Sequence, residues 1–316
     1  MHKYAVLYTL ANYMNTQAHI IPSENINRLK WDDCIPYSPA PCIYAYSFYL
    51  DCMADNWSGI VVGDYKAVMP VPWRKKYGFR YTYDVPFIQQ LGWFGPNEKD
   101  YAEAFLSALF TFTKYGSYSF NAGNNIGMSE ATEHNNFIIN LSASYQSVSK
   151  NYSGDVVNNL KKAAKGRLSY KPCSFQIAIR LYMAEYKKRF KNTTEKDYYN
   201  FTKLCSILPQ QQVFARQVVN ENTNVVLSAA LLLKDEHRLY NIMNTTTAKG
   251  RSQSSNYFLL DNIFKEFAGS GLVFDFEGSD VEGIKLFYQK WGSINQPYKR
   301  LEKFNRLPFP LNMLKR

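Results

Sequence analysis

The stretch GLVFDFEGSDVEGIKLFYQKWG, residues 271–292, decides the fold. Residues 272–276 form a short apolar run with one acid, which predicts a buried strand. Glu277 and Gly278 end that run. The apolar residues that follow recur with helical spacing, which predicts an amphipathic helix that stops at Gly292. We therefore expect a strand, a sharp turn and a helix in direct succession.

The turn combines a helix-start signal with several titratable groups. Ser279, followed three residues later by Glu282, has the pattern of a capping box. Backbone N–H groups are exposed where a strand gives way to a helix, and Asp275, Glu277 and Tyr288 lie near that corner. The stretch is therefore the first candidate for a functional site.

The same stretch resembles the late strand and helix of the GNAT acyltransferase superfamily, in which a Tyr-x-x-x-Gly pattern closes the acyl-CoA site. Tyr288 and Gly292 hold those two positions here. The run DFEGS at 275–279, followed by GI at 283–284 and by Phe287, is closer to the Fem-type (FemABX-like) peptidyltransferases and their relatives. That resemblance implies an α/β (α+β) fold of two tandem GNAT-like lobes, each a mixed twisted sheet flanked by helices.

The chain length agrees with two lobes. Its 316 residues suffice for two domains of about 150 residues each, and 46% hydrophobic content with 25 Tyr and 21 Phe supplies ample core. Segments beginning at Phe105 and at Phe258 share a faint helix-then-strand pattern, which indicates a domain duplication. We expect an N-terminal lobe over residues 1–150 and a C-terminal lobe, with the acyl-transfer site, over residues 151–316.

Local periodicity predicts similar elements in both halves. In the first half we predict helices near 23–31 and 44–54, a hairpin over 59–71, a strand at 81–83, a helix over 101–112 and strands at 118–120 and 137–141. In the second half we predict helices over 156–164, 174–190 and 196–208, a hairpin over 225–243 and a helix over 254–268.

Charge is unevenly distributed along the chain. There are 37 Lys and Arg against 26 Asp and Glu, a net charge of +11. Residues 150–203 hold 13 basic and four acidic residues, a local charge of +9. Such a field favours polyanions such as tRNA, a phosphorylated cofactor, an anionic lipid or a nucleotide sugar. A solvated helix surface would have the same composition.

The patterns of cysteine, histidine and hydropathy indicate the compartment of the protein and argue against metal sites and membrane spans. Five cysteines without a C-x-x-C pair predict a reducing compartment and no structural zinc, and four histidines make a histidine-rich metal site unexpected. No apolar run approaches 18 residues, and residues 1–10 contain one lysine without a signal-peptide cleavage site. We expect a cytoplasmic protein without a membrane span.

Three residues are candidates for the chemistry. In GNAT enzymes the amine attacks the acyl thioester directly, so the protein must orient two substrates and transfer protons. By its place in the motif, Tyr288 resembles the tyrosine that acts as general acid in several members, although an aromatic residue on a core face would have the same spacing. Glu277 is the first candidate for the general base, because the turn should leave its carboxylate in a cleft. Asp275 is the second, with a buried, hydrogen-bonded role as the alternative.

A second segment is the candidate for the cofactor. GNAT enzymes normally place Arg/Gln-x-x-Gly-x-Gly/Ala between a strand and the next helix, so that backbone N–H groups approach a pyrophosphate. The segment TAKGRSQSSN, 247–256, holds that place with a single glycine. The resemblance implies Lys249, Gly250, Arg251 and Ser252 as cofactor-binding residues. The missing glycine departs from the acetyl-CoA pattern, and a serine-rich segment before a helix also predicts an N-cap.

The leading interpretation is an acyl- or aminoacyl-transferase. It would move an acyl group from acyl-CoA (acetyl-CoA) or aminoacyl-tRNA to the amine of a small molecule or an envelope precursor, without a metal. Bacterial Fem-type enzymes that use aminoacyl-tRNA tend to have Phe-Lys where this chain has Phe287-Tyr288, which favours acyl-CoA.

The alternative is a non-catalytic, degenerate GNAT pair that binds nucleic acid or another anionic partner, such as tRNA, through residues 150–203. A hydrolase or nuclease is disfavoured because the sequence has no histidine cluster, Gly-x-Ser-x-Gly motif or Walker loop.

Overall fold

A computed structural model of the chain describes residues 17–96, 101–187 and 192–313. Residues 1–10, where we expect no signal peptide, lie outside these ranges, as does the end of the helix predicted over 174–190. The chain forms two compact units. One comprises the chain up to His134 together with the segment from Tyr298, and the other is Asn135–Pro297.

The strands of the described ranges are, in chain order, β1 (Ala18–Pro22), β2 (Trp57–Val62), β3 (Ala67–Lys76), β4 (Phe79–Thr82), β5 (Tyr115–Ser119), β6 (Ala131–His134), β7 (Phe137–Asn140), β8 (Leu168–Pro172), β9 (Val213–Asn220), β10 (Val226–Lys234), β11 (Arg238–Thr246), β12 (Val273–Asp275), β13 (Ile294–Asn295) and β14 (Tyr298–Asn305). The α-helices are α1 (Arg28–Cys34), α2 (Ser47–Met53), α3 (Ala102–Phe112), α4 (Tyr145–Ser149), α5 (Gly154–Lys165), α6 (Phe175–Tyr186), α7 (Glu195–Ile207), α8 (Ala248–Ser252), α9 (Ser255–Phe267) and α10 (Glu282–Gln289).

Each unit contains a seven-stranded sheet, and the two sheets have the same strand order. The first sheet is β1-β2-β3-β4-β5-β14-β6, and the second is β8-β9-β10-β11-β12-β7-β13. Among the described strands, each sheet has one parallel pair, β4 with β5 and β11 with β12, and its other pairs are antiparallel. Helix α3 leads into β5 as α9 leads into β12. The repeated order confirms the predicted mixed α/β architecture of two tandem lobes.

The division between the units differs from the one expected at residue 150. It falls at His134 and Asn135, because β7 occupies a place in the second sheet. The segment from Tyr298 does not complete the second unit, because β14 lies between β5 and β6 of the first sheet. Of the described strands, the second sheet thus uses the consecutive run β7 to β13, whereas the first combines β1 to β6 with the distant β14.

The hairpin that carries β11 is fixed by a buried carboxylate. Asp235, which follows β10, accepts hydrogen bonds from the backbone N–H groups of His237 (2.9 Å) and Arg238 (2.7 Å). The hydroxyl of Tyr240 donates to its second oxygen at 2.6 Å. An aspartate that bonds to backbone N–H groups two and three residues later is a local turn signal, and it sets where β11 begins.

Helix α9 packs against the sheet and forms the core beneath the site. The ring of Phe264 makes edge-on contacts with Phe274, Phe276 and Trp291, with centroids 4.9 to 6.1 Å apart. Burying such a ring contributes about 1.5–3 kcal/mol, and edge-on pairing adds to it. The residue that precedes the candidate turn, Phe276, is therefore anchored in the core.

The predicted capping box before α10 is wrong. The residue before the helix is Val281, whose side chain cannot cap, and no side-chain cap is present there. The hydroxyl of Ser279 instead accepts the backbone N–H of Val281 at 3.1 Å, within the turn. The helix ends at Gln289, and Gly292 follows with φ of +74°, as expected for a glycine just past a helix.

Candidate functional site

The site is a cleft that opens where two parallel strands part. β11 and β12 are paired at three positions, of which the last joins Tyr240 to Asp275. Beyond that pair lies a cleft of about 670 Å³, whose walls come from β11, the turn after β12, α10, α6 and α8. Its lining includes Asn241, Arg251, Tyr182, Tyr186, Glu277 and Tyr288. The structure thus brings Glu277 and Tyr288 together, as the sequence predicts.

Asp275 does not line this cleft. The residue is 1% exposed, and its carboxylate forms an ion pair with Arg238 and accepts a hydrogen bond from Asn136 Nδ2 at 3.0 Å. Its other oxygen accepts the backbone N–H of Glu277 at 2.8 Å. These contacts fit the buried, hydrogen-bonded role. In that role Asp275 stabilises the turn after β12 and does not contact a substrate.

Glu277 has a strained backbone conformation in the turn that follows β12. Its φ is +67°, and Gly278 follows with φ of +62°. A side chain other than glycine in the left-handed region costs about 1–2 kcal/mol. Such strain persists only where the surroundings impose it, and it clusters at functional sites. The turn keeps Glu277 half-buried in the cleft lining.

Tyr288 faces the cleft from α10. Its ring stacks on Phe276, with centroids 4.4 Å apart and planes at 28°. Burial, followed by the negative charges of Glu277 and Asp275, raises the pKa of the Tyr288 hydroxyl. The phenol therefore stays protonated at neutral pH and can donate a proton or a hydrogen bond.

The predicted cofactor segment is a short helix rather than an open glycine loop. The Thr247 side chain caps α8 by accepting the Gly250 N–H at 3.0 Å, and the Ser252 hydroxyl donates to the Lys249 carbonyl oxygen at 2.9 Å. A Cβ on Gly250 would lie 2.1 Å from the carbonyl oxygen of Leu227, so this glycine is needed for packing. The Gly250 N–H and the Ser252 hydroxyl are thus already used within the protein.

The charged side chains of the same corner remain available. Lys249 and Arg251 are exposed, and neither has an acidic partner among the described residues. The Arg251 guanidinium donates to the Thr246 carbonyl oxygen at 2.6 Å and lines the cleft. Nearby, the buried hydroxyls of Thr245 and Ser255 have no hydrogen-bond partner within the described ranges. An anion could therefore be bound here by the side chains of Lys249 and Arg251, rather than by backbone N–H groups.

The corresponding place in the first unit is lined differently. β4 and β5 are paired up to Thr82 and Gly116. Beyond them, Leu91 pairs with Phe120, which follows β5, and Phe94 pairs with Val68 of β3. These two bridges add protein next to the parting strands, and a smaller cleft of about 470 Å³ lies beside the ends of β4 and β5, lined by residues 81–84, 115–117 and 303–305.

Asn241, Tyr182 and Tyr186 were not predicted as part of the site. The signal for Asn241 was present, since it interrupts the apolar strand that starts at Arg238. The two tyrosines lie on α6, where helical spacing alone cannot distinguish a cleft wall from a core face. The packing of α6 next to the cleft decides their place.

A basic surface lies outside the cleft. Lys161, Lys162 and Lys165 of α5 are exposed, and the described parts of the chain offer them no ion-pair partner. In the same ranges no group of three or more His, Cys, Asp or Glu side chains could hold a metal ion. None of the described helices is both long and apolar enough to cross a membrane.

Comparison with known proteins identifies the fold. No protein-family profile and no curated protein matches the sequence. The chain is structurally similar to FemX, with a TM-score of 0.61 and 11% identity over 89% of this chain and 96% of that one. It is also similar to a tandem GNAT protein from the clavulanic acid biosynthesis pathway, with a TM-score of 0.50 and 8% identity over 92% and 99%. A conserved protein of unknown function from Bacteroides thetaiotaomicron matches with a TM-score of 0.52 and 8% identity over 88% and 98%. The fold is therefore the GNAT-like, Fem-type double fold that residues 271–292 predicted.

Proposed function

We propose that this protein is an N-acyltransferase with one site, located in the cleft of the second unit. The observation that carries the proposal is the placement of Glu277 and Tyr288 in one cleft, beyond the last paired residues of β11 and β12. A carboxylate and a protonated phenol in the same cavity provide a proton acceptor and a proton donor. The N-terminal lobe is proposed to have a structural role.

In the proposed reaction the Glu277 carboxylate takes a proton from the attacking amine. The nitrogen then forms a bond to the acyl carbonyl carbon, and the bond from that carbon to the leaving sulfur or oxygen breaks. Tyr288 gives its proton to the leaving atom, and its raised pKa keeps that proton in place at neutral pH. Asp275 contributes by holding the turn on which Glu277 lies.

The donor is proposed to be an acyl-CoA, with aminoacyl-tRNA as the second choice. Tyr288 occupies the place where tRNA-dependent Fem-type enzymes tend to have lysine. Lys249 and Arg251 would hold the donor phosphates through their side chains, while the short α8 helix supplies no glycine cradle. The acceptor is proposed to be the amine of a small molecule or an envelope precursor, in the cytoplasm.

The alternative is a binding module without catalysis. Its supporting observation is the unpaired lysine surface of Lys161, Lys162 and Lys165, which suits tRNA or another polyanion. Binding through such a surface weakens steeply with salt, because it depends on the release of counterions. Acyl-CoA binding would respond less to salt, because it adds contacts inside the cleft to the two phosphate contacts at Lys249 and Arg251.

Thermal melting with ligands tests the proposal. The protein is melted with acetyl-CoA, longer acyl-CoAs and bulk tRNA, each at two salt concentrations, because a ligand that binds the folded state raises its stability. We expect stabilisation by an acyl-CoA that survives higher salt and is lost in the Lys249→Ala/Arg251→Ala variant. The matched control, Lys161→Ala/Lys162→Ala, should keep it. Stabilisation by tRNA alone, lost in the control variant and at high salt, would favour the binding module.

A further inference from the structure

The side chain of Asn241 is a buried polar group that the protein does not satisfy. The residue is 4% exposed, and its Oδ1 is enclosed without a hydrogen-bond partner. Within the described ranges, neither end of the carboxamide has a partner. A buried amide without hydrogen bonds destabilises the folded protein, and a native structure that retains one requires an explanation.

The position of Asn241 points to a ligand. It directly follows Tyr240, the last residue of β11 that pairs with β12. The register between β10 and β11 shifts there, with one extra residue on β11 between the pairs at Tyr240 and Met243. Bulges of this kind redirect side chains next to active sites. Asn241 shares the cleft lining with Glu277 and Tyr288.

A second buried amide shows why location matters. Oε1 of Gln217, on β9, is likewise enclosed without a partner, but Gln217 does not line the cleft. Only Asn241 of this pair lies where a bound molecule could reach it. The two residues therefore form a matched pair for an experiment.

We propose that Asn241 binds the transferred acyl group, and that this group carries a hydroxyl or amino substituent on its third carbon. The inference rests on the proposed function and deepens it. Arg251, near the end of β11, marks the phosphate end of the donor, while Asn241 lies at the vertex where the strands part. An extended donor with its phosphates at Arg251 places its acyl end at Asn241.

The chemistry of the carboxamide selects the substituent. A hydroxyl donates to Oδ1 and accepts from Nδ2, and an amino group donates to Oδ1. An unsubstituted acyl chain would leave the buried carboxamide unpaired in the complex as well. Sites built to hydrogen-bond a substrate group reject analogues that lack it. We expect a preference of about 10- to 100-fold for the substituted acyl group.

Three thioesters of equal chain length test this preference. Kd is measured by calorimetry on the full chain for butyryl-CoA, 3-hydroxypropionyl-CoA and β-alanyl-CoA, which end in a methyl, a hydroxyl and an amino group. In the wild type, one or both polar members should bind about 10- to 100-fold more tightly than butyryl-CoA. Asn241→Leu should remove this difference and leave the unliganded protein at least as stable, because an apolar side chain of similar shape replaces an unpaired amide. Gln217→Leu, the matched control, should keep the wild-type difference.

Each outcome has one reading. Discrimination that disappears in Asn241→Leu and persists in Gln217→Leu supports the inference, and the arm that discriminates identifies hydroxyl or amino. Equal binding of all three thioesters to the wild type, or unchanged discrimination in Asn241→Leu, overturns the inference while leaving acyl-CoA binding intact. If none of the three binds, the proposed donor is wrong and the inference falls with it.

Discussion

The backbone N–H of Glu277 donates a 2.8 Å hydrogen bond to Oδ1 of Asp275, two residues earlier in the chain. The other oxygen of Asp275 pairs with the guanidinium of Arg238 and accepts from Asn136. A buried ion pair thus holds the turn that keeps Glu277 at φ of +67°. The chemistry proposed for Glu277 therefore depends on Asp275, a buried residue that does not line the cleft.

Removing the charge of Asp275 should strongly destabilise the protein. In Asp275→Asn the largely enclosed Arg238 loses the carboxylate with which it forms its ion pair, and breaking a buried pair in this way costs about 3–5 kcal/mol of the free energy of unfolding. Urea denaturation measures the change. Glu236→Gln, an exposed acid in the adjacent hairpin, is the control and should stay within about 0.5 kcal/mol of the wild type. A loss of less than about 1 kcal/mol in Asp275→Asn would argue against a structural ion pair.

Glu277 should show a trade-off between stability and activity. Glu277→Gly relieves a left-handed conformation that costs about 1–2 kcal/mol, and the greater freedom of glycine in the unfolded chain offsets part of that gain. The free energy of unfolding should therefore stay level or rise by up to about 1 kcal/mol, while acyl transfer falls about 10²- to 10⁴-fold.

Glu277→Gln is the companion variant, because it keeps the strain and removes the charge. It should match the wild type in stability and lose activity as Glu277→Gly does. A glycine variant that is clearly less stable than the wild type would show that the side chain supports the fold instead.

The sequence was sufficient to predict the strand, turn and helix of residues 271–292, because a short apolar run followed by helical spacing depends on local pattern alone. It did not reveal β8 or β9. β8 lies at the edge of its sheet and is only partly buried, so it lacks a clear apolar alternation, and the apolar pattern of β9 is interrupted by Arg216 and Gln217. The placement of β7 in the second sheet and of β14 in the first depends on long-range pairing, which periodicity does not record.

The site was predicted in part for the same reason. Glu277 and Tyr288 are near in sequence, and the family pattern marks them. Asn241 joins them only because β11 lies beside β12 in the sheet. The sequence left two roles open for Asp275, a general base or a buried, hydrogen-bonded residue. The alternation of Asp275 with phenylalanines cannot show that Arg238 lies next to it in the fold. Side-chain pairing across strands, rather than local pattern, decided these points.

Two glycines should respond in opposite ways to an added methyl group. Gly250→Ala would place Cβ 2.1 Å from the Leu227 carbonyl oxygen and 2.6 Å from Ser255 Oγ, so the backbone must shift. Overpacking of this kind costs about 1–3 kcal/mol. Gly283→Ala, on α10, meets no atom within 4 Å and should raise stability by up to about 1 kcal/mol through better helix propensity. Denaturation curves of the two variants, measured side by side, check the signs, and equal effects would contradict the packing at Gly250.

Tyr288 should make the fold sensitive to alkaline pH. Burial first, and then the charge of Glu277, raises the pKa of its hydroxyl, whereas in the unfolded chain a tyrosine loses its proton near pH 10. Above that pH the unfolded state binds fewer protons than the folded state, so the free energy of unfolding must fall as pH rises. The fall is at most about 1.4 kcal/mol per pH unit for one such group.

Tyr288→Phe removes this group while keeping the ring that stacks on Phe276. Above pH 10 the free energy of unfolding of the variant should therefore decline less steeply than that of the wild type. The two slopes should differ by up to about 1.4 kcal/mol per pH unit, and at neutral pH they should be equal. Other buried tyrosines, such as Tyr182, keep some slope in both proteins. Tyr199→Phe, at a side chain 71% exposed, provides the reference. If Tyr288→Phe and Tyr199→Phe give the same alkaline slope, the Tyr288 hydroxyl is not in the buried setting that lets it hold a proton for the leaving group.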